Sequence, residues 1–245
     1  MQISEFFTRI ALQITAFFVR WGQQLYDTFV VEQRYLMLVD GFKNTLIITI
    51  GALLIGIVLG TLVAAIKFLA EEKRALRPLV WLCDFYVTAV RGIPVVVLLL
   101  IFYFVILRSA DGIVTGIITF GINSGAYMAE IVRSGIAAVD GGQTEAARCL
   151  GLNRMGAMRF VVLPQAIKNI LPAIGNEMIA LLKETAVAGY VAVQDLTRAA
   201  NLIRNNTYDA VNPLLATAIV YLAVVVALTA LLKKLEQRLR RSDVR

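Results

Sequence analysis

Histidine is absent from all 245 residues. That removes imidazole metal ligands, Ser-His-Asp triads and imidazole proton relays in one step. Cysteine is nearly as scarce: Cys83 and Cys149 cannot build a disulfide framework and read as reduced thiols. A phosphate-binding loop is missing too. Gly151 and Gly156 have its glycine spacing but lead into Ala157-Met158, and Gly116 and Gly121 lead into Ile122-Asn123. Neither supplies the Lys-Ser/Thr pair that holds nucleotide phosphates. No ATPase therefore resides here, and no catalytic residue, metal site or cofactor is expected of the chain itself. Charge is thin, at 17 % of residues, while 59 % are apolar and the mean hydropathy is +0.75. A soluble domain holds about 45–50 % apolar residues. The fold class is all-α integral membrane, with room for five or six spans.

Apolar runs mark the spans. Residues 44–66 carry no charge and extend about 34 Å as a helix, enough for a hydrocarbon core of about 30 Å. A second span lies within residues 79–107, interrupted by Arg91-Gly92-Ile93-Pro94. Proline there predicts a kink or a re-start near Ile93. Residues 113–132 form a third span, 170–193 a fourth with Pro172 near its start, and 213–232 a fifth ending at Lys233-Lys234. Residues 194–212 are polar and read as an external loop.

Lysine and arginine distribute unevenly over the loops. The loops after the first and third spans and the C-terminal tail hold fifteen, and the opposite side holds seven, with Arg91 and Lys183 unassigned. The positive-inside rule accounts for the net charge of +7 without a nucleic-acid partner, and puts the N-terminus outside and the C-terminus in the cytoplasm. Within residues 1–43, Phe6, Ile10, Phe17, Trp21, Leu25 and Phe29 fall near one helical face, opposite Arg9, Gln13, Arg20, Gln24 and Asp27. That pattern predicts an amphipathic helix in the outer interface. An extra span or a secretory signal are its rivals, although no small-residue cleavage site follows the apolar run at 10–19.

Between the third and fourth spans lies EAARCLGLNRMGAMRFVVLP, residues 145–164. Ala146-Ala147-Arg148-Cys149-Leu150 is a good helix, with Glu145 expected in its first turn, where the dipole favours an anion. Gly151 permits a turn that a side chain resists. Asn153 can cap a second helix over 154–161 that Leu163-Pro164 stops. An ordinary amphipathic loop would explain the tripeptide alone. The spacing Glu145-Ala146-Ala147, Gly151, Leu163-Pro164 resembles the EAA loop of permease subunits in binding-protein-dependent ABC importers. Val161 replaces that motif's usual isoleucine. Further strings, Arg91-Gly92-Ile93-Pro94, GAYMAEIVRSGI at 125–136, LPQA at 163–166, LPAIGNE at 171–177 and LLKET at 181–185, are similar to the polar amino acid branch, so the resemblance covers about residues 40–240.

The resemblance implies a five-span MetI-like permease core at residues 44–240, with the EAA loop at 134–168, an N-terminal segment at 1–43 and a short tail at 241–245. It implies that the loop couples the permease to a separate ATP-binding subunit, which holds ATP and magnesium. It also implies an extracytoplasmic solute-binding protein, a second permease copy or homologue, and a bacterial inner membrane with its lipid around the spans.

The intramembrane charges suggest the pathway. Glu177 and Glu184 lie seven residues apart, about 10 Å along one helical face, with Lys183 on a neighbouring face. Such charges line a pathway or pair with each other. One reading has Glu177 and Glu184 meeting the amino group or cationic side chain of an amino acid; the other has Lys183 pairing with a carboxylate structurally. Asn123 and Tyr127 form a polar stripe with Glu130 that suits either substrate contact or helix–helix hydrogen bonding. Arg91, Gly92 and Pro94, with Asp84 and Tyr86 nearby, are candidates for a gate. The carboxylates lean towards a basic or neutral polar substrate. Two other classes stay open: an ion-coupled secondary transporter, and a membrane scaffold.

Overall fold

The computed structural model describes residues 2–71 and 73–241, all of its regular structure helical. Ten α-helices follow in order: α1 (Gln2–Phe29), α2 (Tyr35–Ala70), α3 (Arg77–Gly92), α4 (Val95–Ile101), α5 (Gly112–Ala137), α6 (Gly141–Cys149), α7 (Arg154–Ala157), α8 (Leu163–Glu184), α9 (Leu196–Thr207) and α10 (Asn212–Arg241). α2, α5 and α10 are each long and apolar enough to cross a bilayer. So is the pair formed by α3 and Val95–Ile106, which bends by 107°. The interruption at Pro94 is thus a re-start rather than a gentle kink: Ile93 is extended and Pro94 stands ahead of the new helix. α8 is the fifth core helix, about 33 Å long over 22 residues, and less apolar because it carries Lys168, Glu177, Lys183 and Glu184.

The core forms where α2, α4, α5 and α8 meet. Ile48, Ala52, Leu99, Phe120 and Leu181 are fully buried there. α2 lies directly against α5 because small residues face the crossing. A Cβ on Gly60 would sit 2.7 Å from the Ala129 backbone nitrogen and would strike Met128 Cβ, so only glycine fits.

Several boundaries differ from those expected of the sequence. α2 begins at Tyr35 and runs unbroken through residues 43 and 44, and the break in the chain lies at 30–34, where Glu32 and Gln33 take positive φ. α10 does not stop at Lys233-Lys234 but continues to Arg241, since charged residues continue a helix wherever it leaves hydrocarbon. The fourth span starts earlier than residue 170, so Pro172 falls inside α8, and it ends at Glu184, after which a 3-10 segment, Thr185–Val191, closes at Ala192 with φ 62°. The polar stretch 194–212 is no loop. Leu196, Ala199, Ala200 and Ile203, spaced i, i+3, i+4 and i+7, are fully buried on one face of α9. Asp195 caps that helix through the Thr197 and Arg198 amides.

Long-range contacts sort the bundle into two ends. At one, Asn44 Nδ2 donates to the Gln194 carbonyl at 3.0 Å and the Leu196 amide donates to Thr45 Oγ1 at 3.2 Å. The end of α1 joins them: Trp21 Nε1 donates to Asn212 Oδ1 at 2.9 Å and Thr28 Oγ1 to Asp209 Oδ2 at 2.8 Å. At the other end Lys67 pairs with Asp84 at 2.6 Å, and Arg154 pairs with Glu71. The rest of α1 exposes Leu12, Phe17, Phe18 and Val19. Side chains of Phe6 and Ile10, placed on its apolar face by the sequence, lie outside the described residues, as does the tail beyond Arg241.

Burial pushes the Asp209 carboxyl up, but hydrogen bonds from Asn212, Thr28 and the Asn212 and Val211 amides outweigh it and hold the group below its usual range. A depressed carboxylate contributes stability in full above its unfolded pKa of about 3.9 and loses it as pH falls through the folded value. Cleavage by an acid-stable protease within residues 30–34 is expected to rise only below about pH 4. In Asp209→Ala it should already be raised at neutral pH, because two buried donors lose their acceptor, at a cost of about 1–3 kcal/mol. Equal cleavage of the two proteins at pH 7 would show that Asp209 does not hold α1.

Candidate functional site

The loop between α5 and α8 is a two-helix knob. α6 opens at Gly141 under an Asp140 cap, whose carboxylate accepts from the Gly142 amide at 2.9 Å. Glu145 therefore lies in the second turn, not the first as expected, because the helix starts four residues earlier. Gly151 closes α6 with φ +91°. Its amide donates to the Arg148 carbonyl at 3.0 Å, and the Leu152 amide reaches back to the Ala147 carbonyl at 3.2 Å. That pair of bonds is a Schellman closure, which wants glycine at this position. Asn153 then caps α7, its Oδ1 accepting from the Gly156 amide at 2.7 Å.

Leu163-Pro164 does not stop the second helix. A π-helical turn, Met158–Val162, follows α7, and Pro164 sits in the first turn of α8, where a missing N–H costs nothing. The knob is therefore continuous with the helix that carries the intramembrane carboxylates. Ala147 and Ala157 are buried inside it, whereas Leu150 is 86 % exposed beside Gly151 and Phe160 is 66 % exposed. Sequence reading missed Leu150, because an exposed leucine in a short helix looks like any other apolar position.

Along the span, α5 meets both carboxylates. Asn123 Nδ2 donates to Glu184 Oε2 at 3.2 Å, and Ser124 Oγ donates to Glu177 Oε1 at 2.9 Å. Asn123 and Ser124 are buried, while the glutamates are half-buried. The hydrogen bonds shown for the two carboxylates thus come from α5, and Lys183 is exposed together with Asn176, seven residues before it. α8 accordingly has one stripe held against α5 and another that is open. Ser124 also escaped sequence reading, since its partner is 53 residues away and no local pattern marks it.

Tyr127 does not join the carboxylates. The Arg91 guanidinium lies over its ring at 5.1 Å, which ties α5 to the last turn of α3 beside the bend. Tyr86 Oη donates to the Ile122 carbonyl at 2.6 Å one turn earlier. Glu130 pairs with Arg133 locally. Arg91, Gly92 and Pro94 thus sit at the 107° break, and Gly92 has open space around it.

Residues 56–241 match the family described as "Binding-protein-dependent transport system inner membrane component". The chain belongs to that family. Among its relatives are the arginine transport system permease protein ArtQ of Bacillus subtilis (strain 168) and the putative glutamine transport system permease protein GlnP of Rickettsia bellii (strain RML369-C). Each is 36 % identical over 210 residues, covering 84 % of this chain and 94 % of the relative. A solved structure described as "Crystal structure of an amino acid ABC transporter with histidines" is similar at 37 % identity with a TM-score of 0.79, over 86 % of this chain and 98 % of that one. An inward-facing structure of the MetNI methionine ABC transporter, 22 % identical with a TM-score of 0.72, shares the fold over 84 % of this chain and 97 % of its own. The chain is a multi-pass inner-membrane permease subunit, as the spacing of residues 145–164 implied.

Proposed function

We propose that this permease subunit forms half of the pathway of an ATP-driven importer for basic or neutral polar amino acids. The observation that carries the reading is the knob: a glycine-closed pair of short helices with Leu150 at its tip, running without a break into α8. Glu145, Ala146, Ala147, Gly151, Leu163 and Pro164 form the handle on which a separate ATPase, holding ATP and magnesium, exerts force. A second permease copy or homologue completes the pathway across the open stripe of α8, and an extracytoplasmic binding protein delivers substrate to the opposite end. The N-terminus lies outside with α1 at the outer interface among lipid headgroups, and the C-terminus lies in the cytoplasm. Catalysis stays with the ATPase, and this chain performs no covalent step.

Within the pathway, Glu177 and Glu184 present carboxylates that Ser124 and Asn123 keep oriented by hydrogen bonding. Substrate cations take the remaining oxygen lone pairs, with Lys183 at the open edge. Arg91 on Tyr127 latches the bend at Gly92 and Pro94, which moves as the pathway changes sides. The relatives' names, arginine and glutamine, support a polar cargo over an acidic one.

A panel of amino acids delivered by the binding protein tests the substrate class through ATPase stimulation of the reconstituted complex. Arginine, lysine, histidine or glutamine should stimulate, and glutamate should not. Stimulation by glutamate alone would overturn the pathway assignment. Glu184→Gln should lower uptake of a basic substrate by about tenfold to a hundredfold, comparable to the loss of one charge-assisted hydrogen bond of about 1.5–3 kcal/mol, and should spare a neutral one.

A further inference from the structure

The inner end of α2 lies between the knob and α3. Arg154, the first residue of α7 and three residues after Gly151, reaches across to the end of α2, where it covers the Phe68 ring at 4.7 Å and pairs with Glu71, the residue that follows the helix. One turn back along α2, Lys67 pairs with Asp84 of α3 at 2.6 Å. From Asp84, α3 runs about 10 Å to Arg91, which lies on Tyr127 at the break. The handle and the bend are otherwise far apart in the chain, and this sequence of contacts joins them.

We propose that Arg154 is the positioning residue that passes the stroke of the knob to α2, and through Lys67–Asp84 to α3 and its broken end. The proposal rests on the coupling role of the knob and adds the route by which its motion leaves. Glu71 is 65 % exposed and Asp84 57 % exposed, so these pairs contribute little to folding stability. Their value is directional. Arg154 grips α2 by charge and by ring at once, so a sideways displacement of α7 carries Phe68 and Glu71 with it. Lys67 lies four residues before Glu71, one turn back on the same side of the helix and next to Phe68, and hands the displacement to Asp84.

The test uses the full complex of permease, ATPase and binding protein in proteoliposomes, and reads substrate moved per ATP hydrolysed. Arg154→Glu should lower that ratio roughly tenfold, within the range of ordinary site-to-site coupling, with ATP hydrolysis retained. Arg154→Lys should keep most of it. The charge exchange Arg154→Glu with Glu71→Arg should restore the ratio to within about threefold, while the retained assembly and hydrolysis of Arg154→Glu mark its loss as one of coupling and not of folding. If Arg154→Glu prevents assembly, Asp84→Asn probes the second joint and should lower the ratio likewise. Gly151→Val in parallel separates the two ideas. If it uncouples while Arg154→Glu transports normally, the clamp is wrong and the coupling role stands. If neither variant changes the ratio, both fall. Failure of the charge exchange to recover any coupling would also overturn the clamp.

Discussion

A Gly151→Val permease is expected to assemble with its ATPase, to allow ATP hydrolysis, and to move almost no substrate. The reason is local. Gly151 holds φ +91°, and an ideal Cβ there would meet nothing within 4 Å. No clash forces the knob apart; the backbone alone objects, at about 1–2 kcal/mol for a residue with a side chain and more for a β-branched one. The Schellman bonds from Gly151 and Leu152 to Arg148 and Ala147 then open, and α6 no longer meets α7 at a fixed angle. Membrane spans are untouched, so insertion and assembly continue. Gly151→Asn should keep most transport, because asparagine tolerates the left-handed region. Normal uptake in Gly151→Val, or equal loss in Gly151→Asn, would show that the turn at 151 is not what transmits force.

Gly60→Leu should have the second large effect, this time on the fold. The side chain would have to enter the α2–α5 crossing, where Met128 Cβ and the Ala129 amide already occupy the space. Overpacking costs about 1–3 kcal/mol even where neighbours shift, and backbone cannot shift as a side chain does. Subunit accumulation and detergent melting temperature should both fall sharply, and Gly60→Ala should fall part of the way. Gly92→Ala is the matching control, since nothing lies near its Cβ. A Gly60→Leu subunit that melts with the unaltered protein would contradict the crossing.

Much of this architecture was legible without coordinates. Uncharged runs gave the spans at 44–66 and 213–232, and a mainly apolar run with the single charge Glu130 gave 113–132, because in hydrocarbon every backbone group must be satisfied within its own helix. Gly151 and Asn153 announced their turn and cap, since both depend on one residue's own backbone or side chain. Long-range packing was less visible. α9 was hidden by its arginines and asparagines, though the spacing of Leu196, Ala199, Ala200 and Ile203 carried the signal. Pro164 misled because proline ends a helix or begins one, and the π turn ahead of it decides which. Ser124 and the Arg154–Glu71 pair join residues 53 and 83 positions apart, and no local pattern encodes them.

Uptake in proteoliposomes measures the central claim most directly. With this permease, its ATPase, its binding protein and ATP inside, labelled amino acid should accumulate, and omission of ATP or of the ATPase should abolish accumulation. Accumulation by the permease alone under an imposed ion gradient would contradict the account and return the chain to the ion-coupled class.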